Sequence, residues 1–269
     1  YMKLGFIGAG NMAGAIIKGF INKNCVNSSD IYFIRQNKEK QAQQAKELGI
    51  NGCDDYDSLI ENSDILFLGV KPVVFPTLLP QIAKSVKKKN PLVVSMAAGL
   101  TTDSIREMLG YDAKIIRIMP NVNAAIAMST TAVCKNEFAS DEDLATIKNL
   151  FSTIGLTTEV PENQFAIFTA IAGCSPAYVY MFIDGLARGA QKMGMNKQKA
   201  LEIAASAVIG SASMYAQSNE HPQELVDKVC SPGGTTIEGV TTLEEYKFTA
   251  GVVKAVENSI LKDRELSKK

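Results

Sequence analysis

Lys3-Leu4-Gly5-Phe6-Ile7-Gly8-Ala9-Gly10-Asn11-Met12-Ala13-Gly14 is the stretch whose reading decides the fold. Lys3 to Ile7 is a short apolar run of strand length, and Ala15, Ile16, Ile17 and Phe20 follow the glycines at helical spacing. Strand, G-x-G-x-x-A, then helix is the arrangement that binds a dinucleotide. Gly8 makes the tight turn, Gly10 lets a pyrophosphate approach the backbone at the helix start, and Ala13 and Gly14 keep the helix close to the strand. A purely structural turn is the alternative.

Moving outward, Ile31 to Ile34 is a second strand, followed at once by Arg35-Gln36-Asn37-Lys38. No Asp or Glu stands there to hold a ribose 2′-hydroxyl, so Arg35, Asn37 and Lys38 are candidates for a 2′-phosphate, against an ordinary polar loop. Further strands are expected at Ile65 to Val70, Leu92 to Met96 and Ile115 to Met119. They end in Lys71-Pro72, Ala97-Ala98-Gly99 and Pro120-Asn121. Helical patterns lie near 39–48, 55–61, 73–87 and 102–109. In an open parallel sheet the ligand lies across the carboxyl ends of the strands, so these three ends should rim the crevice. Thr131 to Cys134, a helix near 141–152 and Thr157 to Val160 close the sheet, with helices on both faces.

After Pro161-Glu162-Asn163 the strand signals vanish. Helices are expected over 163–173, from a Ser175 cap with Pro176 at the first position, from Asn196, around a Gly-Gly turn, and over 247–266. Phe165 to Ile183 is 19 residues without a charge, but Gly173, Cys174, Ser175 and Pro176 interrupt it and Asp184 and Arg188 follow. A buried core helix pair is expected there, not a membrane span. Small residues at 204–207 and 210–213 and a 176–193 helix that is apolar nearly all round want neighbours on several sides. A dimer through this half would supply them. The expected fold is α/β: a Rossmann-type dinucleotide-binding domain over 1–161, then an all-helical substrate-binding and dimerisation domain over 162–269.

Composition narrows the function. The 269 residues are 46% hydrophobic with a mean hydropathy of +0.03, enough for two packed cores or one large one. Lys+Arg and Asp+Glu are both 28, which argues against a nucleic-acid or anionic-membrane partner. The five cysteines include no C-x-x-C, the usage of a reducing cytosol, so a cytoplasmic location is expected. His221, the single histidine, precedes Pro222 and reads as structural or solvated, and no metal site is expected. Tyr1 ahead of Met2 reads as an expression remnant, and no signal-peptide pattern is expected.

One stretch carries the chemistry: Cys230-Ser231-Pro232-Gly233-Gly234-Thr235-Thr236. Pro232 fixes φ ahead of two side-chain-free glycines, hydroxyls flank them, and a helical pattern resumes at Ile237. Exposed N–H groups at a helix start ringed by hydroxyls suit a small carboxylate. A Gly-rich linker turn is the alternative.

Taken end to end, the chain resembles the pyrroline-5-carboxylate reductases. The resemblance rests on Gly8-Ala9-Gly10-Asn11-Met12, Val70-Lys71-Pro72, Ala97-Ala98-Gly99, Met119-Pro120-Asn121, Ser175-Pro176-Ala177-Tyr178, Ser231 to Thr236 and Arg264-Glu265-Leu266. It implies reduction of a small cyclic imine carboxylate, 1-pyrroline-5-carboxylate, to L-proline. It implies NADPH as cofactor, with NADH left open, and self-association as a dimer, with a larger ring of dimers left open. Cofactor contacts are implied from Gly8, Gly10, Asn11, Met12, Arg35, Asn37, Val70, Lys71, Pro72, Ala97 and Asn121. Substrate contacts are implied from Ser175, Ser231, Gly233, Gly234, Thr235 and Thr236, with the Thr236 hydroxyl at the ring nitrogen as an orienting partner. A protonated iminium accepts hydride readily, so positioning and electrostatics suffice and no strong acid or metal is needed. Three positions depart from the family pattern: Cys174-Ser175 where Ser-Gly is usual, Val122-Asn123 where Thr-Pro is usual, and Tyr56 where some members carry Asn. A β-hydroxyacid dehydrogenase would need a catalytic Lys, and 163–195 offers none before Lys192. A dinucleotide-sensing regulator would have no use for S-P-G-G-T-T.

Overall fold

The computed structural model describes residues 2–266, so Tyr1 and the last three residues of the expected C-terminal domain lie outside it. The chain starts as β1 (Leu4–Ile7), α1 (Asn11–Asn22), β2 (Ile31–Ile34), α2 (Lys38–Leu48), β3 (Asn51–Gly52) and α3 (Tyr56–Glu61). It continues with β4 (Ile65–Leu68), α4 (Phe75–Lys89), β5 (Leu92–Ser95), α5 (Thr102–Leu109), β6 (Ile115–Met119), β7 (Ser129–Lys135), α6 (Asp141–Ser152) and β8 (Gly155–Glu159). The strands form one sheet in the order β3-β2-β1-β4-β5-β6-β7-β8. The order reverses at β1, where β2 lies on one side and β4 on the other, both parallel to it.

The alternation of side chains along each strand divides the core into two layers. Phe6, Phe67, Val94, Ile116 and Ile118 face Ile16, Ile17 and Phe20 of α1 and Ile147 and Phe151 of α6. Ile7, Leu66, Leu68, Val93 and Ile115 face Leu59 of α3, Leu78, Leu79 and Ile82 of α4 and Ile105 of α5. Phe6 and Phe67 stack across the β1–β4 pair with ring centroids 4.5 Å apart.

The sheet departs from the all-parallel expectation at one place: β7 runs antiparallel to β6, and β8 then runs parallel to β7. Only 120–128 separates β6 from β7, and a 3-10 turn (Val122–Ile126) ending at Ala127 with φ 56 fills most of it. That is too short for a parallel crossover, which needs a dozen residues or more.

Beyond the sheet come α7 (Phe165–Phe168), a π-helical turn (Thr169–Cys174), α8 (Ser175–Lys192), α9 (Lys197–Gln217), α10 (Pro222–Val229), α11 (Thr235–Glu245) and α12 (Phe248–Leu266). The chain divides into two compact units, Tyr1–Gly173 with the stretch from Ile260 onward, and Cys174–Ser259. Within the first, Phe165, Phe168 and Ala172 pack on Met119, Ala132 and Cys134 of the sheet. Within the second, the Tyr178 hydroxyl meets Ser259 Oγ at 2.6 Å, and the Phe182 and Phe248 rings lie 5.9 Å apart.

Two expectations for this region need correction. Ser175 does not cap a new helix. It is the first residue of α8, no side chain caps that end, and helical backbone continues through 165–192 by way of the π turn. Pro176 has no N–H to give the carbonyl four residues back, and its ring crowds that carbonyl. A widened turn relieves the crowding without ending the helix. Nor is the apolar segment a buried helix pair. Only 22% of its most apolar window is buried, although Glu162–Lys192 is long and apolar enough by length and composition to cross a membrane. Pro176 and Ala187 are the buried residues of α8, and Tyr180 and Met181 stand 60% and 75% exposed.

Candidate functional site

At the β1–α1 turn the backbone comes very close to the end of β4. Gly8 has φ +87, and a Cβ there would lie 2.8 Å from the Gly69 carbonyl oxygen and from Val70 Cγ1. The helix is seated by Ala13, whose Cβ is 3.1 Å from where a Cβ on Gly69 would stand. Gly14 has a different neighbour: a Cβ there would meet Gln44 Nε2 of α2 at 3.3 Å. Gly10 is exposed, faces open space and begins α1 with no side-chain cap, so the first amides of α1 are open toward that space. An uncapped, accessible helix N-terminus is what a pyrophosphate requires, and the residues present fit a dinucleotide.

A cleft of about 520 Å³ lies beside this turn, lined on one side by Gly10, Asn11 and Lys18 and on the other by Arg35 and α2. Of the polar residues after β2, Arg35 lies in the cleft, with its Nη1 donating to Gln44 Oε1 at 2.7 Å. Asn37 begins α2, where its Oδ1 accepts from Lys40 N at 2.8 Å. Lys38 reaches the other way and donates to the carbonyls of Cys53 and Asp54 at 3.3 and 3.1 Å. Lys18, Lys40 and Gln44 line the cleft without having been singled out in the sequence.

The remaining crevice residues stand at the carboxyl ends of their strands. Lys71 and Pro72 are exposed where a 3-10 turn leads into α4, with Val70 half-buried before them. Ala97 is buried and donates its N–H to Ser95 Oγ at 3.2 Å. Met12 is partly buried against the first core layer. Tyr56 starts α3 and packs partly against the second.

Asn121 is 4% exposed, and both ends of its side chain are engaged inside the protein. Its Oδ1 accepts from Thr130 N at 3.1 Å, and its Nδ2 donates to the Ala172 carbonyl at 3.0 Å. Ala172 carries the carbonyl that Pro176, lacking an N–H, cannot engage. The Asn121 amide donates to that carbonyl from outside the helix.

A charged group anchors the other end of the same segment. Glu162 accepts from Thr102 N at 2.8 Å and from Thr102 Oγ1 at 3.0 Å, and Arg117 Nη1 lies 3.3 Å from it. The Arg117 guanidinium also sits 4.5 Å over the Phe165 ring. Burial first, and then the Glu162 carboxylate, push the neighbouring Cys134 thiol up to about 12.

In the second unit Ser231 to Gly234 form a turn closed by Gly234 N donating to the Ser231 carbonyl at 3.0 Å. Gly233 has φ +67, and a Cβ on Gly234 would collide with Ser231 Oγ at 2.4 Å. The turn therefore requires glycine at 233 for its backbone and leaves little room for a side chain at 234 unless Ser231 Oγ moves. Gly234 starts α11 without a side-chain cap, and Thr235 and Thr236 are its first two residues, both exposed. Ser231 is exposed beside them, and Ser175, in the same unit, is half-buried at the start of α8. His221 caps α10: its Nδ1 accepts from Gln223 N at 3.2 Å, and Glu224 Oε2 accepts from its own N–H at 3.1 Å.

Residues 162–266 match the family model described as pyrroline-5-carboxylate reductase dimerisation, and residues 3–99 match NADP oxidoreductase coenzyme F420-dependent. Pyrroline-5-carboxylate reductase of Escherichia coli (strain K12) is 41% identical over 266 residues, which span 99% of this chain and 98% of that protein. The crystal structure of 1-pyrroline-5-carboxylate reductase from Streptococcus pyogenes superposes with a TM-score of 0.88 at 38% identity, covering 98% of both chains. The Plasmodium falciparum pyrroline carboxylate reductase, solved with NADP bound, gives a TM-score of 0.88 at 29% identity over 99% of this chain and 98% of its own.

Proposed function

This chain belongs to the pyrroline-5-carboxylate reductases, which reduce 1-pyrroline-5-carboxylate to L-proline with NAD(P)H in proline biosynthesis, and we propose how its own residues divide that work. Bound nicotinamide supplies the hydride that reaches the imine carbon. The uncapped first turn of α11 is the observation that supports the rest. Its free amides and partial positive charge suit the substrate carboxylate, and the Ser231–Gly234 turn aims them. Ser175 is assigned as a further substrate contact, and the Thr236 hydroxyl as the partner that orients the ring nitrogen. A threonine hydroxyl is too weak an acid to be the proton source, so its contribution is position.

On the cofactor side, Gly8, Gly10, Asn11 and Met12 form the pyrophosphate turn. Val70, Lys71, Pro72, Ala97 and Asn121 form the strand-end rim, with Asn121 shaping it from within, since its amide holds Thr130 and Ala172 and its backbone N–H donates to Ser129 Oγ. NADPH is the preferred form, a reading supported by Arg35 in the cleft and the lack of an acid after β2. We assign 1–161 to cofactor binding and 162–269 to substrate binding and dimerisation. The exposed apolar faces of α8 and α9 support a dimer, and five unbridged cysteines fit a cytoplasmic location.

Thr236→Val tests the substrate assignment, since it keeps the β-branched shape and removes only the hydroxyl. Losing a hydrogen bond to a charged partner should lower kcat/KM by about 10–150-fold with NADPH affinity unchanged, and Thr235→Val should be milder. A Thr236→Val enzyme working at the wild-type rate would return the Gly-Gly turn to a linker.

A further inference from the structure

We propose that Lys40, together with an Arg35 held by Gln44, is what distinguishes a 2′-phosphorylated adenosine from an unphosphorylated one in this chain. The inference rests on the NADPH reading above and names the residues that carry it. Arg35 follows β2 directly and is fixed at two points, its N–H donating to Gln41 Oε1 at 2.8 Å and its Nη1 to Gln44 Oε1 at 2.7 Å. Gln44 in turn occupies the space left by the missing side chain of Gly14. On α2, Lys40, Gln43, Gln44 and Glu47 recur at three- and four-residue spacing, so they form one stripe, and all four line the cleft with Gly10, Asn11 and Lys18.

The charges in that cleft do not cancel. Lys18, Arg35 and Lys40 face a single carboxylate, Glu47, which accepts from Gln43 Nε2 at 2.7 Å. The Lys18 and Lys40 ammonium groups have no ion-pair or hydrogen-bond partner among the described residues. The two other polar residues after β2 are committed elsewhere, Asn37 to the start of α2 and Lys38 to the Cys53 and Asp54 carbonyls. A phosphate monoester brings close to two negative charges and three acceptor oxygens. It matches a fixed guanidinium beside a free ammonium, with Lys18 across the cleft adding long-range attraction.

The test needs no turnover: isothermal titration calorimetry of adenosine 2′,5′-bisphosphate and adenosine 5′-monophosphate at fixed ionic strength. Wild type should bind the bisphosphate more tightly. Lys40→Gln should lose about 10–100-fold for the bisphosphate while the monophosphate changes less than about twofold. Lys40→Arg should keep the preference, and Lys38→Gln should match wild type for both ligands. A Lys40→Gln protein that keeps the full preference, or a Lys38→Gln protein that loses it, overturns the assignment and leaves the NADPH reading standing. Equal binding of both ligands by wild type overturns both.

Discussion

Asn121 offers the sharpest test of how the strand ends are held, because each end of its side chain has one partner. Asn121→Leu keeps the branching at Cγ and opens no cavity, so its cost is the polar loss plus any overpacking by the bulkier methyl groups. It strands the carbonyl of Ala172, which is 6% exposed, and the N–H of half-buried Thr130. An orphaned buried group costs about 1–3 kcal/mol. Taking the carbonyl in full and the amide at half weight gives about 1.5–4.5 kcal/mol. Asn121→Asp separates the two bonds by pH. Its ionised carboxylate still accepts from Thr130 but faces the Ala172 carbonyl, so burial and that carbonyl raise its folded pKa above the unfolded value. The penalty relative to wild type is then complete above the folded pKa and shrinks as pH falls through it, because the protonated acid can donate to Ala172 again. Urea midpoints at matched protomer concentration, compared at about pH 8 and about pH 5, measure both effects provided the m-value is constant. A loss under about 1 kcal/mol for Asn121→Leu, or an Asn121→Asp penalty that does not shrink on acidification, would refute the claim that this amide replaces the donor Pro176 lacks.

Three other outcomes follow from the same geometry. Gly234→Ala drives a Cβ into Ser231 Oγ, so it should misaim the first turn of α11 and raise the KM for the imine while cofactor binding is unchanged in fluorescence titration. Ala207→Trp, at an exposed position of α9 one turn beyond buried Ala204, should weaken a partner contact by about 1–3 kcal/mol and shift light scattering toward monomer. Cys134, raised to about 12 from an ordinary 9.0, should resist thiol reagents in the native protein. Its contribution to stability is full below 9.0 and is lost as pH rises from there toward 12, which alkaline unfolding of a Cys134→Ala variant against wild type would register.

Most of the first unit was legible because strand and helix periods there are backed by burial. Ile31–Ile34 and Ile115–Met119 were expected over the same residues as the strands observed. The misses have physical causes. Asn51–Gly52 is too short to show alternation. The antiparallel turn into β7 was hidden by Val122-Asn123-Ala124-Ala125-Ile126, which lacks the Gly or Pro that usually signals a reversal; Ala127 takes the left-handed conformation instead. The break expected at Gly173–Pro176 was a sound reading of proline chemistry with the wrong remedy. A helix can also widen by one residue and borrow a donor from outside.

The limits at the candidate site are of the same kind. Arg35, Asn37 and Lys38 looked equivalent because all three follow a strand, but only Arg35 precedes the helix and lines the cleft, while Asn37 caps α2 and Lys38 opens it with its ammonium on the Cys53 and Asp54 carbonyls. Where α2 begins and which way it faces was not readable in advance, since Gln41 is the only buried residue of α2 and no apolar stripe marks which side faces in. Asn121 shows the converse. Its place at a strand end suggested a ligand contact, yet its amide is consumed by Ala172, 51 residues away in sequence. Pro176 announced a missing donor, and because Ala172 is one of the few residues of that segment to be buried, its carbonyl draws a donor from the strand end instead of from water.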